Sequence, residues 1–180
     1  MAILKVARIG NPVVRAATRA LSEAQIRSDE IQRLIDDMAE TLREYEGVGL
    51  AAPQIHLGLR LAVIEVLASD ARAEGGVPFT VLVNPVVSPL GDEKLPGWEG
   101  CLSIPDLRGL VPRFARLRLD AQDREARPYS LEAGGFFARV IQHECDHLDG
   151  GVYLDRMQGM RSLSFLPEFE RYAPRHQDAE

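Results

Sequence analysis

The 180-residue sequence predicts an α+β protein, in which short antiparallel β-sheets pack around a central helix that carries an H-E-x-x-H motif. Three observations predict this class. A regular helical pattern lies near the N-terminus, a series of short strand-like runs follows it, and a second helical pattern follows the runs. Because parallel strands need long crossover connections, strands that are separated only by turns are predicted to be antiparallel.

The first helical pattern begins after Ser28, where apolar residues recur at the i, i+3, i+4, i+7 spacing of an amphipathic helix. Ser28 is a suitable N-cap and Gly47 a suitable stop. The other face is charged and is interpreted as a solvated surface, so this helix is predicted to be structural. Its apolar positions are Ile31, Leu34, Ile35, Met38, Leu42 and Tyr45.

Four strand-like runs follow, at residues 59–66, 81–87 and 117–120, with a weaker run at 128–131. Several prolines separate them, so the strands are expected to be short. The second helical pattern covers residues 136–149, between two pairs of glycines.

The organisation predicts one body over residues 1–160 and a C-terminal tail over residues 161–180, in the same domain or partly flexible. Pro167 and Pro174 interrupt the tail, which is therefore expected to form no long helix.

Composition limits the function. The sequence holds 27 acidic residues against 21 Lys plus Arg, a formal charge of −6, which argues against a protein that wraps nucleic acid. Lys5 and Arg8 interrupt the first apolar residues, and no run approaches the roughly 20 apolar residues of a membrane span. A cytoplasmic protein without a membrane partner is expected. The two cysteines are too few for a disulfide scaffold and are free for metal or thiol chemistry.

The segment QHECDHLDG on the second helical pattern predicts a metal site. His143 and His147 stand four residues apart, so both can reach one divalent ion, and Glu144 beside them can act as a base on a water. The apolar neighbours of these residues indicate a buried helix, which rarely carries polar groups without partners.

A catalytic metal site usually has three protein ligands and an open position, whereas a closed structural site has four. Cys101 is the predicted third ligand, because Gly100 permits close backbone approach and the thiol can ionise against a metal. Two alternatives stay open: Cys101 is a small buried hydrophobe, or the third ligand is Glu168, as in an H-E-x-x-H metalloprotease. Cys145 points roughly 200° around the helix from His143 and is predicted to be a core residue.

The glycine-rich segment GVGLAAPQ follows the first helix and runs into Pro53, which does not fit a dinucleotide fingerprint. Its small residues indicate backbone packed tightly beside a site. Gln54 is a candidate to polarise a substrate carbonyl, although a structural hydrogen bond is the alternative interpretation.

GVGLAAPQ, EGCLS and QHECDHLDG, in that order, resemble the peptide deformylases. These are metal-dependent hydrolases that remove the formyl group from the N-terminal formyl-methionine of new polypeptides. The resemblance implies that residues 1–160 form the catalytic domain and that one divalent ion is bound, with Fe(II) expected and Zn, Ni or Co able to replace it. It implies the metal ligands Cys101, His143 and His147, the catalytic carboxylate Glu144, and two groups that polarise the carbonyl, the Gln54 side chain and the Leu102 backbone N–H.

The same resemblance implies a substrate site for N-formyl-methionyl peptides. Arg139 is the least expected residue of this site. A cation one turn before His143 would repel a bound metal ion unless a carboxylate such as Glu99 neutralised the guanidinium. The tail lacks the longer basic helix of the best-known bacterial members, so proximity to the ribosome is expected without docking through the tail. The implied substrate residues are Val48, Gly49, Gly97, Trp98, Glu99, Arg108, Phe136, Arg139 and Val140.

Overall fold

A computed structural model describes residues 2–70, 72 and 76–173. Four α-helices lie within these residues: α1 (Glu23–Ile26), α2 (Asp29–Glu44), α3 (Gly135–Leu148) and α4 (Leu166–Tyr172). Short 3₁₀ turns occupy Pro12–Arg15, Ala52–Ile55 and Tyr153–Arg156. The strands that the model describes are β1 (Gly49–Ala51), β2 (Leu61–Val66), β3 (Val77–Pro89), β4 (Lys94–Cys101), β5 (Ile104–Phe114), β6 (Arg116–Gln122), β7 (Pro128–Gly134) and β8 (Ser164–Phe165).

The strands form two antiparallel sheets, which confirms the α+β class. One sheet has five strands in the order β1-β2-β3-β6-β7, and the other has three in the order β4-β5-β8. The four strand-like runs of the sequence correspond to β2, β3, β6 and β7, although β2 begins at Leu61, two residues after the start of its run. The sequence pattern does not show β5 as a strand, because Pro105 and Pro112 lie in it and mimic turns.

Helix α2 begins where the sequence pattern places it, because the Ser28 hydroxyl accepts a hydrogen bond from the backbone N–H of Ile31. Its apolar face is buried against β1 and β2, and it holds one side of the five-stranded sheet. The buried apolar side chains of this face are Ile31, Ile35, Met38, Ala39 and Leu42.

Helix α3 packs against the five-stranded sheet, with Ile141 and Leu148 fully buried among side chains of β2, β3 and β6. Cys145 belongs to the same apolar cluster, and burial raises the pKa of its thiol to about 12. The five-stranded sheet therefore covers one face of α3. The H-E-x-x-H residues lie where α3 meets the three-stranded sheet.

The C-terminal segment is attached to the body of the protein. In β8, Ser164 and Phe165 pair with Arg108 and Leu107 of β5, and the seven-residue helix α4 follows. Pro167 lies in its first turn, where a missing N–H is tolerated. Residues 174–180, including Pro174, lie outside the described residues. Among the described helices, none is long and apolar enough to cross a membrane.

Candidate metal centre and active site

Three predicted ligands come together where β4 meets α3. The Sγ of Cys101 and one ring nitrogen each of His143 and His147 all lie within 4.8 Å of one another. The Sγ of Cys101 is 3.2 Å from Nε2 of His147. No other cluster of this kind occurs among the residues that the structure describes, and Glu168 on α4 is not part of this one.

The donor set fits a divalent transition metal. A thiolate and two imidazoles suit zinc or iron, and three protein ligands leave a position open for water or substrate. Burial opposes ionisation of Cys101, but the imidazoles of His147 and His143 outweigh it and hold the pKa of the thiol well below its usual value. The site therefore favours the thiolate, which is the form that binds a metal.

The carboxylate of Glu99 contacts the predicted ligand His143. Its Oε2 lies 2.9 Å from Nδ1 of His143, an arrangement that would leave Nε2 of that ring able to bind a metal. Arg113 donates two hydrogen bonds to the same carboxylate, at 2.9 and 3.0 Å. Burial opposes ionisation of Glu99, but the hydrogen bonds from His143 and Arg113 lower its pKa to about 2. Both carboxylate oxygens of Glu99 are thus occupied by protein partners.

The support extends outward through two further charged residues. Arg113 also donates to Asp146 on α3, and Arg156 donates to the same carboxylate at 2.6 Å. Arg113 is not evident as part of the site from the sequence alone. Its partners lie 14 and 33 residues away in the chain, and no local pattern marks such a contact.

Arg139 is neutralised by Glu99, which resolves the conflict that its position raised. Its Nη1 donates to Oε1 of Glu99 at 2.8 Å and to the carbonyl of Val111 at 2.8 Å. Its Nη2 donates to the carbonyl of Leu95 at 2.6 Å. A Cβ on Gly97 would lie 2.6 Å from Cζ of Arg139, so this glycine lets the guanidinium lie against β4. Arg139 therefore fastens β4 and β5 to α3.

Glu144 is 3% exposed and lies against the backbone of the glycine-rich segment. A Cβ on Gly49 would lie 2.7 Å from Cδ of Glu144, so only a glycine leaves room for the carboxylate. Its Oε2 makes no hydrogen bond to the described part of the chain. Burial raises the pKa of Glu144 to about 7, against the opposing effect of the imidazoles. A buried carboxylate with this pKa can exchange a proton near neutral pH.

Gln54 lies in the 3₁₀ turn after β1 and has a fixed orientation. The backbone N–H of Ala51 donates to its Oε1 at 2.8 Å, and its Nε2 lies 3.5 Å from Sγ of Cys101. The amide therefore makes a structural hydrogen bond and also directs its donor towards the ligand cluster. Leu102, the residue after the predicted ligand Cys101, is half-buried and lines the cleft described next.

A cleft of about 1830 Å³ passes over the ligand cluster. Four residues of the C-terminal segment also line it, a contribution that no sequence pattern indicated. The ring of Phe169 on α4 meets that of Trp98 on β4 edge to face, with centroids 4.9 Å apart. All the predicted substrate residues line this cleft, namely Val48, Gly49, Gly97, Trp98, Glu99, Arg108, Phe136, Arg139 and Val140.

Comparison with known proteins gives consistent matches. A family model described as polypeptide deformylase matches residues 3–162. A protein named peptide deformylase 2 from Pseudomonas putida is 42% identical over 164 residues, which cover 91% of this chain and 92% of that protein. Peptide deformylase 1 from Bordetella pertussis is 47% identical over 137 residues, which cover 76% of this chain and 78% of the relative.

Solved structures match as well. A class I type b peptide deformylase from Acinetobacter baumannii, bound to Met-Ala-Ser, aligns with a TM-score of 0.81 and 31% identity, covering 87% of this chain and all of that one. A peptide deformylase from Synechococcus elongatus in complex with actinonin aligns with a TM-score of 0.79 and 34% identity, covering 93% of this chain and 86% of the other.

Proposed function

The chain belongs to the polypeptide deformylase family, and we propose the roles by which its own residues carry out the family's reaction. It is a metal-dependent hydrolase that removes the N-terminal formyl group from newly synthesised polypeptides. The observation that carries the assignment of residues is the buried Cys101, His143 and His147 cluster, with Glu144 beside it at the base of a cleft.

In this proposal Cys101, His143 and His147 hold one divalent ion, with Fe(II) as the cellular metal and Zn, Ni or Co able to replace it. The donor set supports a borderline-soft transition metal, since a thiolate and two imidazoles suit such ions better than Mg²⁺ or Ca²⁺. When bound, the ion supplies Lewis acidity and lowers the pKa of a water molecule.

Glu144 moves the proton. Its carboxylate accepts a proton from the water as the water oxygen attacks the formyl carbon, and it delivers that proton to the amide nitrogen as the C–N bond breaks. The products are formate and a free N-terminal amine. Burial of Glu144 and its raised pKa of about 7 support this role, because both transfers need a group of intermediate acidity.

Gln54 and Leu102 stabilise the carbonyl oxygen as it becomes negative. The side-chain Nε2 of Gln54 and the backbone N–H of Leu102 are the donors in this proposal. The fixed Gln54 amide supports it, since Ala51 holds Oε1 and leaves Nε2 on the ligand side. Removal of one such donor typically costs about 3 kcal/mol of transition-state stabilisation.

The cleft selects formyl-methionine in this proposal. The half-buried Val48 and Phe136, with the buried Val140, offer an apolar pocket for the methionine side chain. Strand β4 lies at the edge of its sheet and can pair with the backbone of an extended peptide. The relative from Acinetobacter baumannii that is bound to Met-Ala-Ser supports a peptide ligand that begins with methionine.

For the whole chain we propose a catalytic domain over residues 1–160, with residues 161–180 as its C-terminal extension. Because formylated chains emerge from ribosomes, the enzyme acts near them in the cytoplasm, without docking through the tail, without wrapping nucleic acid and without a membrane partner. The formal charge of −6 supports the absence of nucleic-acid wrapping.

The test is release of formate from a formyl-Met peptide by anaerobically prepared, Fe(II)-loaded protein. We expect formate from the formylated peptide and no new amine from the acetylated one, whose internal peptide bonds control for general peptidase activity. Absence of formate release, with metal bound and the fold intact, would overturn the proposal. Cleavage of an internal peptide bond instead would favour the metalloprotease alternative.

A further inference from the structure

Helix α4 turns one face towards the substrate cleft. Leu166, Phe169, Glu170 and Ala173 all line the cleft and share the i, i+3, i+4, i+7 spacing of one helix face. Leu166, Phe169 and Ala173 are half-buried, although α4 has no fully buried residue. Tyr172 is 72% exposed and does not line the cleft. The face of α4 at the cleft is therefore distinct from its solvent face.

The position of α4 is fixed by the three-stranded sheet. Strand β8, directly before the helix, pairs with β5, and the hydroxyl of Ser162 accepts a hydrogen bond from the backbone N–H of Leu110 at 3.2 Å. The edge-to-face contact between Trp98 and Phe169 joins the helix to β4. A wall held by a sheet and an aromatic pair can present a defined surface to a ligand.

Side chains along β4 alternate between two faces. Glu99 and Cys101 point towards α3, where they contact His143 and His147. Trp98 points the other way, towards Phe169. An extended peptide paired with the β4 edge alternates in the same manner. If its methionine side chain enters the pocket beside α3, its second side chain faces Trp98 and Phe169.

We propose that α4 reads the second residue of the substrate, and that the Trp98–Phe169 surface selects an apolar side chain at that position. This inference rests on the proposed function and adds a specificity-determining residue, Phe169, to it. The side chain of Phe169 is 4.9 Å from the Trp98 ring between centroids, so the pair forms one apolar surface at the cleft. Burial of an apolar second side chain against it favours binding.

The experiment compares kcat/KM for formyl-Met-Leu-Ser and formyl-Met-Ala-Ser with the Fe(II)-loaded full-length enzyme. We expect the unaltered enzyme to prefer the leucine peptide. Phe169→Ala should lower kcat/KM for the leucine peptide by about tenfold, a change typical of one lost apolar contact, and should leave the alanine peptide nearly unchanged. Phe169→Leu should restore most of the preference.

Tyr172→Ala is the matched control, because it removes an aromatic side chain from the solvent face of the same helix. It should leave kcat/KM unchanged for both peptides. Equal loss on both peptides, or no loss on either, in Phe169→Ala would overturn this inference while leaving the proposed function in place. Absence of formate from both peptides with the unaltered enzyme would overturn the proposed function and this inference with it.

Discussion

The backbone of Gly49 lies directly against the side chain of Glu144. A Cβ at position 49 would approach Cγ of Glu144 to 2.9 Å and Cδ to 2.7 Å, distances that real Cβ atoms do not adopt. The glycine-rich segment therefore supplies the space in which the proposed proton carrier stands. Gly49 lies in the three-residue strand β1, where its backbone is extended. Its role is therefore steric: the contact requires only that position 49 has no side chain.

Gly49→Ala should displace the Glu144 carboxylate and lower kcat, while metal content stays near that of the unaltered protein. We expect a loss of at least about a hundredfold, because small misplacement of a catalytic group is costly. Gly58→Ala is the control, since a Cβ there meets nothing within 4 Å. Unchanged kcat in Gly49→Ala would contradict the steric role.

Glu144→Gln should keep the metal and abolish nearly all activity. The amide has a similar shape but cannot carry the proton, and general acid–base catalysis by one group typically contributes about 10² to 10⁴-fold. Metal analysis and the formate assay on the same sample measure the two effects separately. If this variant deformylates at an undiminished rate, Glu144 is not the base.

Cys101→Ala should lose the metal, and Glu168→Ala should retain it. Cys101 belongs to the buried ligand cluster, whereas Glu168 is an exposed residue of α4 outside it. Metal content per chain, measured after anaerobic desalting, distinguishes the two ligand sets. Retained metal in the first variant with loss in the second would establish the carboxylate as the third ligand.

Glu99→Gln should weaken metal binding by about ten- to a hundredfold, because loss of a carboxylate that orients a ligand histidine has effects of this size. The amide cannot neutralise Arg113 and Arg139, and it holds Nδ1 of His143 less firmly. Competition with a chelator measures the affinity. Glu132→Gln removes an exposed partner of Arg116 and should leave the affinity unchanged.

Glu99 should also make the metal-free protein sensitive to acid. Its pKa is lowered to about 2 in the folded chain, from its usual value of 4.5, so the stabilisation is present above pH 4.5 and is lost as pH falls towards 2. The shift corresponds to about 3 kcal/mol of unfolding free energy. Urea unfolding between pH 4.5 and 2 measures this. The free energy of unfolding should fall more steeply with decreasing pH in the unaltered protein than in Glu99→Gln. Parallel declines would contradict this linkage.

Local patterns predicted the elements whose signals are local. The Ser28 cap and the apolar period of α2 lie within one segment, and the strands β2, β3, β6 and β7 carry ordinary apolar runs. Strands β4 and β5 were not predicted as such, because Pro96 and Pro112 resemble turn residues although they face each other in the sheet register. Pro96 is compatible with β4 because this strand lies at a sheet edge, and Pro112 lies in the part of β5 that does not pair with β8.

The site divides in the same way. Helical spacing predicted that His143 and His147 reach one ion, and Cys101 was predicted as the third ligand with Glu168 as the open alternative. The contacts of Arg113 with Glu99 and Asp146 join distant segments, so no periodicity could show them. The face of α4 has a regular spacing at residues 166, 169, 170 and 173, but only the pairing of β8 with β5 shows what that face meets.

The three proposed ligands lie on two separate elements, with Cys101 at the end of β4 and both histidines on α3. An ion shared between them is a removable cross-link between the small sheet and the central helix. Because an ion that binds only the folded chain stabilises it by mass action, folding and metal loading become one coupled equilibrium. The catalytic ion would thus also link the small sheet to the central helix. Scarcity of metal would then lower the thermal stability of the protein together with its turnover.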